Sequence, residues 1–157
     1  MGYTHYTKFN NIVTEDKLKK ASADVKKAFE LVKKECPDIT IKNGWGEDEP
    51  IINERVICFN GDASKKEDYE TFCVEVGDEG FNFCKTARLP YDVYVCVACL
   101  ILKEHFGADL CLSSDGIGGV HTDRGVDLVL LLGGNRYSID YEWRKPIEIY
   151  KKFKGIV

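Results

Sequence analysis

The chain has 157 residues, of which 44% are hydrophobic and 31% charged, and it carries a formal net charge of −4. The length predicts one domain, and the composition is that of an ordinary globular protein rather than a disordered, collagen-like or membrane-embedded one. The acidic balance argues against a dedicated duplex-DNA-binding protein, whose binding face would be strongly basic.

The first part of the chain predicts a strand followed by a long amphipathic helix. Residues 3 to 9 are rich in β-forming side chains, and Thr14 is placed to cap a helix over residues 15 to 35. Cys36 ends this helix because the residue before a proline avoids the α-helical region. The apolar face of the helix carries Leu18, Ala21, Val25, Ala28, Phe29 and Val32. Its lysine-rich remainder predicts a solvated face, with contact to an acidic partner or to nucleic acid as the alternative.

The middle of the chain predicts short strands separated by turns. Residues 38 to 42 and 54 to 61 are strand-like, and an acidic loop that contains Trp45 lies between them. Alternating segments at 69 to 76 and 81 to 87 flank the sequence GDEG, which has the length of a hairpin turn. We therefore expect these two segments to pair as a β-hairpin.

Residues 81 to 113 predict a strand–helix–strand unit. Pro90 suits the first turn of a helix, and the apolar run from Tyr91 to Phe106 indicates a helix that is buried on nearly all sides. The β-branched residues of this run leave a strand as the alternative. Residues 108 to 113 supply the second strand of the unit.

The last third of the chain contains an ambiguous segment and a distinctive tail. Residues 126 to 132 fit either a short helix or a buried strand. Residues 135 to 157 form a basic, aromatic extension of the same domain that begins with strand-like alternation. The expected fold is a single α+β domain over residues 1 to 157, in which two main helices cover a mixed sheet.

Two loops after the predicted strands form the candidate site. If strands 81–86 and 108–113 are parallel neighbours, the crossover between them brings their carboxyl ends to one edge of the sheet. The loops KTARLPY and SSDGIGG would then face each other across a crevice. Ligands of open α/β sheets favour such an edge, so we expect a ligand-binding pocket there.

The chemistry of these loops suits an anion. Lys85 and Arg88 supply positive charge, and the helix amino terminus adds free N–H groups. Thr86 and Ser114 supply hydroxyl groups that would orient the ligand. Asp115 would accept a hydrogen bond from a ribose hydroxyl group, orient Arg88 or act as a general base.

The surroundings of the loops support two interpretations. Tyr91 or Tyr6 would stack on the base of a bound nucleotide. In the alternative interpretation these residues are purely structural, and Lys85 and Arg88 pair with neighbouring acids such as Asp92.

The histidines and the CxxC sequence do not indicate a metal site. His5, between tyrosines on the first strand, is either a hydrogen-bonded structural residue or a general base. His121 lies near Asp123 but lacks a standard ligand spacing. Cys96 and Cys99 lie within the apolar helix, where packing rather than redox chemistry is expected. Because the sequence has no Walker, dinucleotide-binding or GxSxG motif, we expect neither a metal nor a cofactor.

Cysteine use and hydropathy predict the compartment. The seven cysteines are an odd number set mostly in apolar segments, and the polar sequence MGYTHYTKFNN does not read as a signal peptide. We therefore expect reduced thiols in a cytoplasmic protein. The longest apolar run, from Val93 to Leu102, is about half of the roughly 20 residues that a bilayer-spanning helix needs, so no membrane association is expected.

A set of short motifs resembles a known family. The motifs are, in chain order, Gly2-Tyr3-Thr4-His5-Tyr6, Phe59-Asn60-Gly61, Glu70-Thr71-Phe72, Phe83-Cys84-Lys85-Thr86-Ala87-Arg88 with Pro90-Tyr91-Asp92, and Ser114-Asp115-Gly116. Over roughly residues 2 to 116 the chain is similar to small, largely uncharacterised proteins of phage and bacterial genomes. The resemblance implies an accessory protein that acts in the cytoplasm of a bacterial host, and it assigns no catalytic residue.

The leading functional hypothesis is a binding protein for an anionic or phosphorylated small molecule, such as a nucleotide that a phage would sequester. The first alternative is an enzyme, a hydrolase or a transferase, that uses the same pocket with His5 or Asp115 as general base. The second alternative is a module that inhibits a host protein through the lysine-rich helix or the Trp45 loop. The sequence makes no prediction of the oligomeric state.

Overall fold

The computed structural model describes residues 2 to 121 and 123 to 156 of the chain. The strands are β1 (Thr4–Phe9), β2 (Ile41–Lys42), β3 (Ile51–Ile52), β4 (Val56–Gly61), β5 (Phe72–Glu75), β6 (Gly80–Lys85), β7 (Leu110–Ser114), β8 (Ile117–Gly118) and β9 (Ser138–Ile139). The helices are α1 (Glu15–Glu35), α2 (Asp92–Phe106), α3 (Leu128–Gly133) and α4 (Tyr141–Lys154). Together these elements form a single α+β domain, as the sequence predicts.

The first strand of the chain, β1, is the central strand of a three-stranded sheet. It pairs antiparallel with β6 on one side and with β7 on the other, so that His5 lies between Cys84 and Ser114. β6 and β7 are therefore parallel to each other, but they are not neighbours. The prediction that they adjoin is wrong because β1 is inserted between them. Their carboxyl ends do lie at the same edge of the sheet, as expected.

A second sheet holds β2, β3 and β5 around β4. The predicted hairpin across the GDEG turn is wrong, since β5 pairs with β4 while β6 pairs with β1. Side chains take up the N–H groups that such a hairpin would use on β6. The N–H of Phe83 donates to Asn82 Oδ1 at 2.8 Å, and the N–H of Lys85 donates to Glu70 Oε1 at 2.7 Å. Every pairing among the described strands is antiparallel, so the sheets are antiparallel rather than mixed.

The two main helices form where the sequence predicts them. α1 begins after Thr14, and its predicted apolar face is buried. α2 is a helix rather than a strand, and nearly all of its residues are buried because α1, α4 and β7 pack around it. Gly107 ends α2 with a φ of 53°, a conformation that glycine adopts without strain. In the described part of the chain, no helix combines the length and the apolar character needed to cross a bilayer.

The tail at residues 135 to 157, predicted as an extension with strand-like alternation, contains the helix α4. Asp140 caps this helix by accepting from the N–H of Glu142 at 3.0 Å. α4 packs on α1 and α2, so the tail contributes to the core. Pro146 lies inside α4 and interrupts the helical pattern of the sequence, which is why periodicity missed the helix. Residues 126 to 132, predicted as either helix or strand, contribute to α3.

Candidate functional site

A hydrogen-bonded network around His5 lies at the edge where the two predicted loops meet. His5 Nδ1 is 2.7 Å from Ser114 Oγ, and His5 Nε2 is 2.6 Å from Asp92 Oδ1. Three elements place these side chains, since His5 lies on β1, Ser114 ends β7 and Asp92 begins α2. We call this group, together with Thr86 and Trp143, the His5 network.

The partners of Ser114 determine where the protons of the His5 network lie. Ser114 Oγ accepts from Trp143 Nε1 at 3.0 Å and from the N–H of Gly116 at 3.1 Å. Because both lone pairs of this oxygen are used, its hydrogen points to His5 Nδ1. His5 Nε2 therefore carries the ring hydrogen and donates it to Asp92.

Asp92 is the acceptor on which the His5 network converges. Its Oδ1 accepts from His5 and, at 2.5 Å, from Thr86 Oγ1, while its Oδ2 accepts from Cys96 Sγ at 3.5 Å. The amino terminus of α2 adds a dipole that favours a carboxylate. Burial, and then the charge of Asp92, raises the pKa of Cys96 well above the usual thiol value, so Cys96 stays a donor.

The order Ser114–His5–Asp92 is that of a hydrolytic triad, but the His5 network is closed to a substrate. His5 is 1% exposed, Ser114 is 8% exposed and Trp143 is fully buried. Two N–H donors also hold the Ser114 oxygen, which weakens it as a nucleophile. The geometry therefore favours the structural interpretation of His5 over a role as general base.

Two clusters of possible metal-ligand side chains occur among the described residues. They are His5 with Asp92 and Cys96, and Asp24 with Glu104 and His105. In each cluster the histidine Nε2 is close to a carboxylate oxygen, at 2.6 Å in the first and 2.7 Å in the second. Two atoms that bind one zinc ion lie about 3 Å or more apart, because zinc bonds near 2 Å are arranged tetrahedrally. Both clusters are therefore arranged for hydrogen bonding, and a metal ion would have to separate their members.

Arg88 does not offer a free guanidinium group to a ligand. Its Nε donates to Glu142 Oε1 at 3.0 Å, and its Nη2 donates to Asp140 Oδ2 at 3.2 Å. The guanidinium carbon also lies 4.1 Å from the centre of the Tyr3 ring, a cation–π contact. Both acids lie at the start of α4, the helix that periodicity missed, so their pairing with Arg88 is not predictable from the sequence.

Lys85 and Tyr91 also have partners within the protein. Lys85 Nζ lies 5.8 Å from the centre of the Tyr69 ring. Tyr91 is fully buried and donates to the carbonyl group of Glu70 at 2.6 Å. Burial raises the pKa of the Tyr91 hydroxyl far above its usual range. Because its ring is enclosed, Tyr91 cannot stack on a nucleotide base.

Asp115 and Tyr6 bind each other at the rim of this edge. Tyr6 Oη donates to Asp115 Oδ1 at 3.1 Å, and the N–H of Thr4 donates to Asp115 Oδ2 at 3.0 Å. Tyr6 also stacks on Phe81, with the ring centres 6.1 Å apart. Asp115 therefore fastens the loop after β7 to the start of β1.

The space between the two loops is filled by aromatic side chains. Tyr3 and Trp143 are both fully buried, and each contacts the His5 ring edge-to-face, at centre distances of 5.2 Å and 5.4 Å. Tyr3 Oη donates to Asp140 Oδ1 at 3.0 Å. The two loops thus meet at one edge, as the sequence predicts, but the crevice between them is occupied by the protein itself.

A large groove lies elsewhere, beside α1. It has a volume of about 700 Å³ and runs between the second half of α1 and the segments 37–42 and 49–52. We call it the lysine groove. Its lining combines charged and apolar side chains, namely Lys26, Lys27, Phe29, Glu30, Lys33, Pro37, Ile39, Thr40, Ile41, Lys42, Glu49, Pro50, Ile52 and Tyr94.

The lysine groove carries an excess of positive charge. Its cationic side chains are Lys26, Lys27, Lys33 and Lys42, and only two glutamates accompany them. Within the described residues, none of these four ammonium groups forms a hydrogen bond or an ion pair. This separates them from Arg88, whose charge is already neutralised by α4.

Tyr94 lines the lysine groove with a hydroxyl group that has no partner among the described residues. The side chain is 3% exposed, and its ring packs edge-to-face on Phe29 with the centres 4.9 Å apart. Burial raises the pKa of Tyr94 to about 12, so the hydroxyl group stays protonated at neutral pH. It is therefore available as a hydrogen-bond donor to a ligand.

Only one wall of the lysine groove, the face of α1, is predictable from the sequence. Lys26 and Lys33 are two helical turns apart and share one face of α1. The opposite wall consists of loops and two-residue strands, whose position depends on how β2 and β3 pair with β4. The local sequence pattern does not predict such strand pairing, so the sequence alone indicates that the lysines form a solvated face of α1.

Comparison of the chain with protein-family models, curated proteins and solved structures finds no match. The resemblance to phage and bacterial proteins therefore stays a prediction.

Proposed function

We propose that the chain binds an anionic small molecule in the lysine groove. The observation that carries this proposal is a set of four lysines that form no hydrogen bond or ion pair in the described structure, placed around an apolar floor. The ligand class is the one predicted from the sequence. The location differs because Arg88 is paired and the crevice beside it is filled.

The size of the lysine groove supports a small ligand. Pockets for small molecules and cofactors usually measure about 300 to 1,000 Å³, and the lysine groove measures about 700 Å³. A ligand of nucleotide size would therefore fit within its walls.

Charge and hydrogen bonding favour an anion with a flat or apolar body. An ammonium group binds a phosphate or carboxylate about twice as strongly as a neutral donor does. Tyr94 supplies a further O–H donor from the floor. Apolar side chains such as Phe29 and Ile52 offer a surface for a nucleotide base. A nucleotide uses both parts of the groove.

Binding without turnover is the form of this function that we favour. In the setting implied by the resemblance to phage proteins, it would sequester a nucleotide in the host cytoplasm. The enzyme alternative has less support, because both candidate bases lie outside the lysine groove. His5 is enclosed, and Asp115 holds Thr4 and Tyr6.

A module that binds a host protein is the second candidate, and the observation that favours it is Trp45. This side chain is 80% exposed on a loop that Asn43 fixes, since Asn43 Oδ1 accepts from the N–H groups of Trp45 and Glu47. An exposed tryptophan on an ordered loop is a frequent anchor of protein interfaces. A protein-binding surface of this kind would give no signal in a titration with nucleotides.

Two adjacent lysines of α1 provide the test. Lys33 lines the lysine groove, whereas Lys34 is exposed outside it. We expect ADP to raise the melting temperature of the wild-type chain and to bind it in isothermal titration calorimetry. Lys33→Ala should weaken this binding roughly fivefold to tenfold, about 1 to 1.4 kcal/mol. Lys34→Ala, the matched control, should stay within about twofold, because its charge is screened by solvent.

Two outcomes would reject the proposal. The first is a wild-type chain that nucleotides, sugar phosphates and inorganic phosphate all fail to stabilise. The second is an equal loss of affinity in Lys33→Ala and Lys34→Ala, which would indicate a diffuse attraction rather than a site.

A further inference from the structure

Cys58 on β4 and Cys73 on β5 are direct cross-strand partners. The N–H of Val76 donates to the carbonyl group of Arg55 at 3.0 Å, which makes that pair a hydrogen-bonded one. Hydrogen-bonded and non-hydrogen-bonded pairs alternate along antiparallel strands. Three positions further along, Cys58 and Cys73 therefore form a non-hydrogen-bonded pair.

This register places the two thiols where a disulfide fits. The Cα atoms of a non-hydrogen-bonded pair lie about 4.5 Å apart, and disulfides span Cα separations of about 4.4 to 6.8 Å. Both side chains are partly exposed, and both are free thiols. A disulfide between the two sulfur atoms is therefore compatible with the observed pairing of β4 and β5.

The acidity of the pair differs from that of the other cysteines for which a pKa shift is resolved. Interaction with the Cys73 thiol lowers the pKa of Cys58, while the same interaction raises the pKa of Cys73. Burial raises the pKa of the thiol groups of Cys36, Cys84, Cys96 and Cys99. Thiolate, rather than thiol, is the nucleophile in disulfide exchange, so Cys58 is the more reactive sulfur.

We propose that Cys58 and Cys73 form a redox-active dithiol site whose substrates are low-molecular-weight disulfides. The site lies on β4 and β5 and is independent of the lysine groove. Cys58 thiolate attacks one sulfur of the disulfide, forms a mixed disulfide and releases one thiolate. Cys73 then loses its proton to solvent and attacks the Cys58 sulfur, which forms the cross-strand disulfide and releases the second thiolate. The small disulfide is reduced to two thiols, and the protein loses two hydrogen atoms.

The test is exposure of the full chain to oxidised glutathione at neutral pH, followed by mass spectrometry. We expect the intact mass to fall by two hydrogen atoms, and proteolysis to yield one linked peptide pair that contains Cys58 and Cys73. Before oxidation, limiting iodoacetamide should label Cys58 roughly tenfold or more faster than Cys36, which is also partly exposed.

Three variants separate the roles of the two thiols. Cys73→Ser should stop at the glutathione adduct of Cys58, and Cys58→Ser should form neither product. Cys36→Ser, the control, should oxidise as the wild type does. A wild-type chain that keeps all seven thiols, or that links another pair, would overturn the proposal, and this outcome does not depend on the folding of any variant.

Discussion

Ser22 and Ser114 are both buried, at 2% and 8% exposure, but their hydroxyl groups have different surroundings. Ser114 Oγ binds His5, Trp143 and the N–H of Gly116. Ser22 Oγ, on α1, has no hydrogen-bond partner among the described residues. The same chemical group therefore stabilises the fold at one position and carries an uncompensated desolvation cost at the other.

Replacing each serine by alanine should have opposite effects. Ser22→Ala should leave the free energy of unfolding unchanged or raise it by up to about 1 kcal/mol, because it removes an unsatisfied hydroxyl group and favours the helix. Ser114→Ala should lower it by roughly 2 to 3 kcal/mol, because buried polar groups lose their partner. Urea unfolding followed by circular dichroism measures both. Effects of the same sign would contradict this account.

The sequence predicts Ser114 as a ligand-binding residue, whereas in the structure its hydroxyl group binds other residues of the protein. Its position after a strand suggested a ligand hydroxyl, whereas its partner Trp143 comes 29 positions later in the chain. No local pattern joins those two residues. His5 illustrates the same limit, since the structural alternative was open from sequence and only the enclosure by β7 and α4 favours it.

At the scale of elements, carboxylate groups on the two main helices hold α4 against them. Glu35 of α1 accepts from Lys145 and Lys152, both at 2.9 Å. Glu104 of α2 accepts from Tyr150 at 2.5 Å and from Lys154 at 2.7 Å. The attachment of α4 therefore depends in part on two ionised glutamates.

This attachment should weaken in acid. Hydrogen bonds from Lys152 and Lys145 lower the pKa of Glu35. For Glu104, burial raises the pKa, but hydrogen bonds from Lys154 and Tyr150 outweigh it and the net shift is downward. Carboxylates with a lowered folded-state pKa stabilise the fold above the ordinary glutamate pKa, about 4.3, and this contribution is lost as the pH falls through the folded-state value.

The measurement uses Trp143 as the reporter of α4, in a Trp45→Phe background that leaves one tryptophan. The urea midpoint of unfolding, followed through Trp143, should fall steeply between about pH 5 and pH 3. Glu35→Gln combined with Glu104→Gln, added to that background, should start from a lower midpoint and show a shallower fall. Identical pH profiles would show that these glutamates do not hold α4.

Helices whose hydrophobic residues recur at a clear helical period were predictable from the sequence. Elements whose position depends on side chains that compete for backbone hydrogen bonds were not. α1 and α2 lie within a residue of their predicted bounds, because capping and hydropathy agree there. The GDEG hairpin failed because Asn82 and Glu70 bind the N–H groups of β6. α4 was missed at Pro146, although the cap at Asp140 was a readable signal.

At the scale of the whole molecule, distant parts of the chain meet at Gly116. A side-chain carbon added there would collide with Tyr3 Oη and would lie 2.6 Å from Trp143 Cδ1. Tyr3 comes from the amino-terminal end and Trp143 from α4, and both are fully buried. The absence of a side chain at this turn is thus what allows the two ends of the fold to pack together.

Gly116→Ala should therefore destabilise the whole domain. The added methyl group meets two side chains that cannot move without breaking the His5 network, so we expect a loss of roughly 2 to 3 kcal/mol, seen as a fall in melting temperature. Gly118→Ala is the control. Its added carbon lies 3.4 Å from Ser138 Cβ, an ordinary contact, and its effect should stay within about 0.5 kcal/mol. Equal effects would contradict the packing described at Gly116.

The central place of β1 has a consequence for how the protein is made. β1 spans residues 4 to 9, whereas its neighbours are residues 80 to 85 and 110 to 114. During translation β1 must therefore wait for more than a hundred further residues before both of its edges are paired. Such distant pairing slows folding, so the second edge of β1 stays unpaired in the nascent chain until residues 110 to 114 have been made.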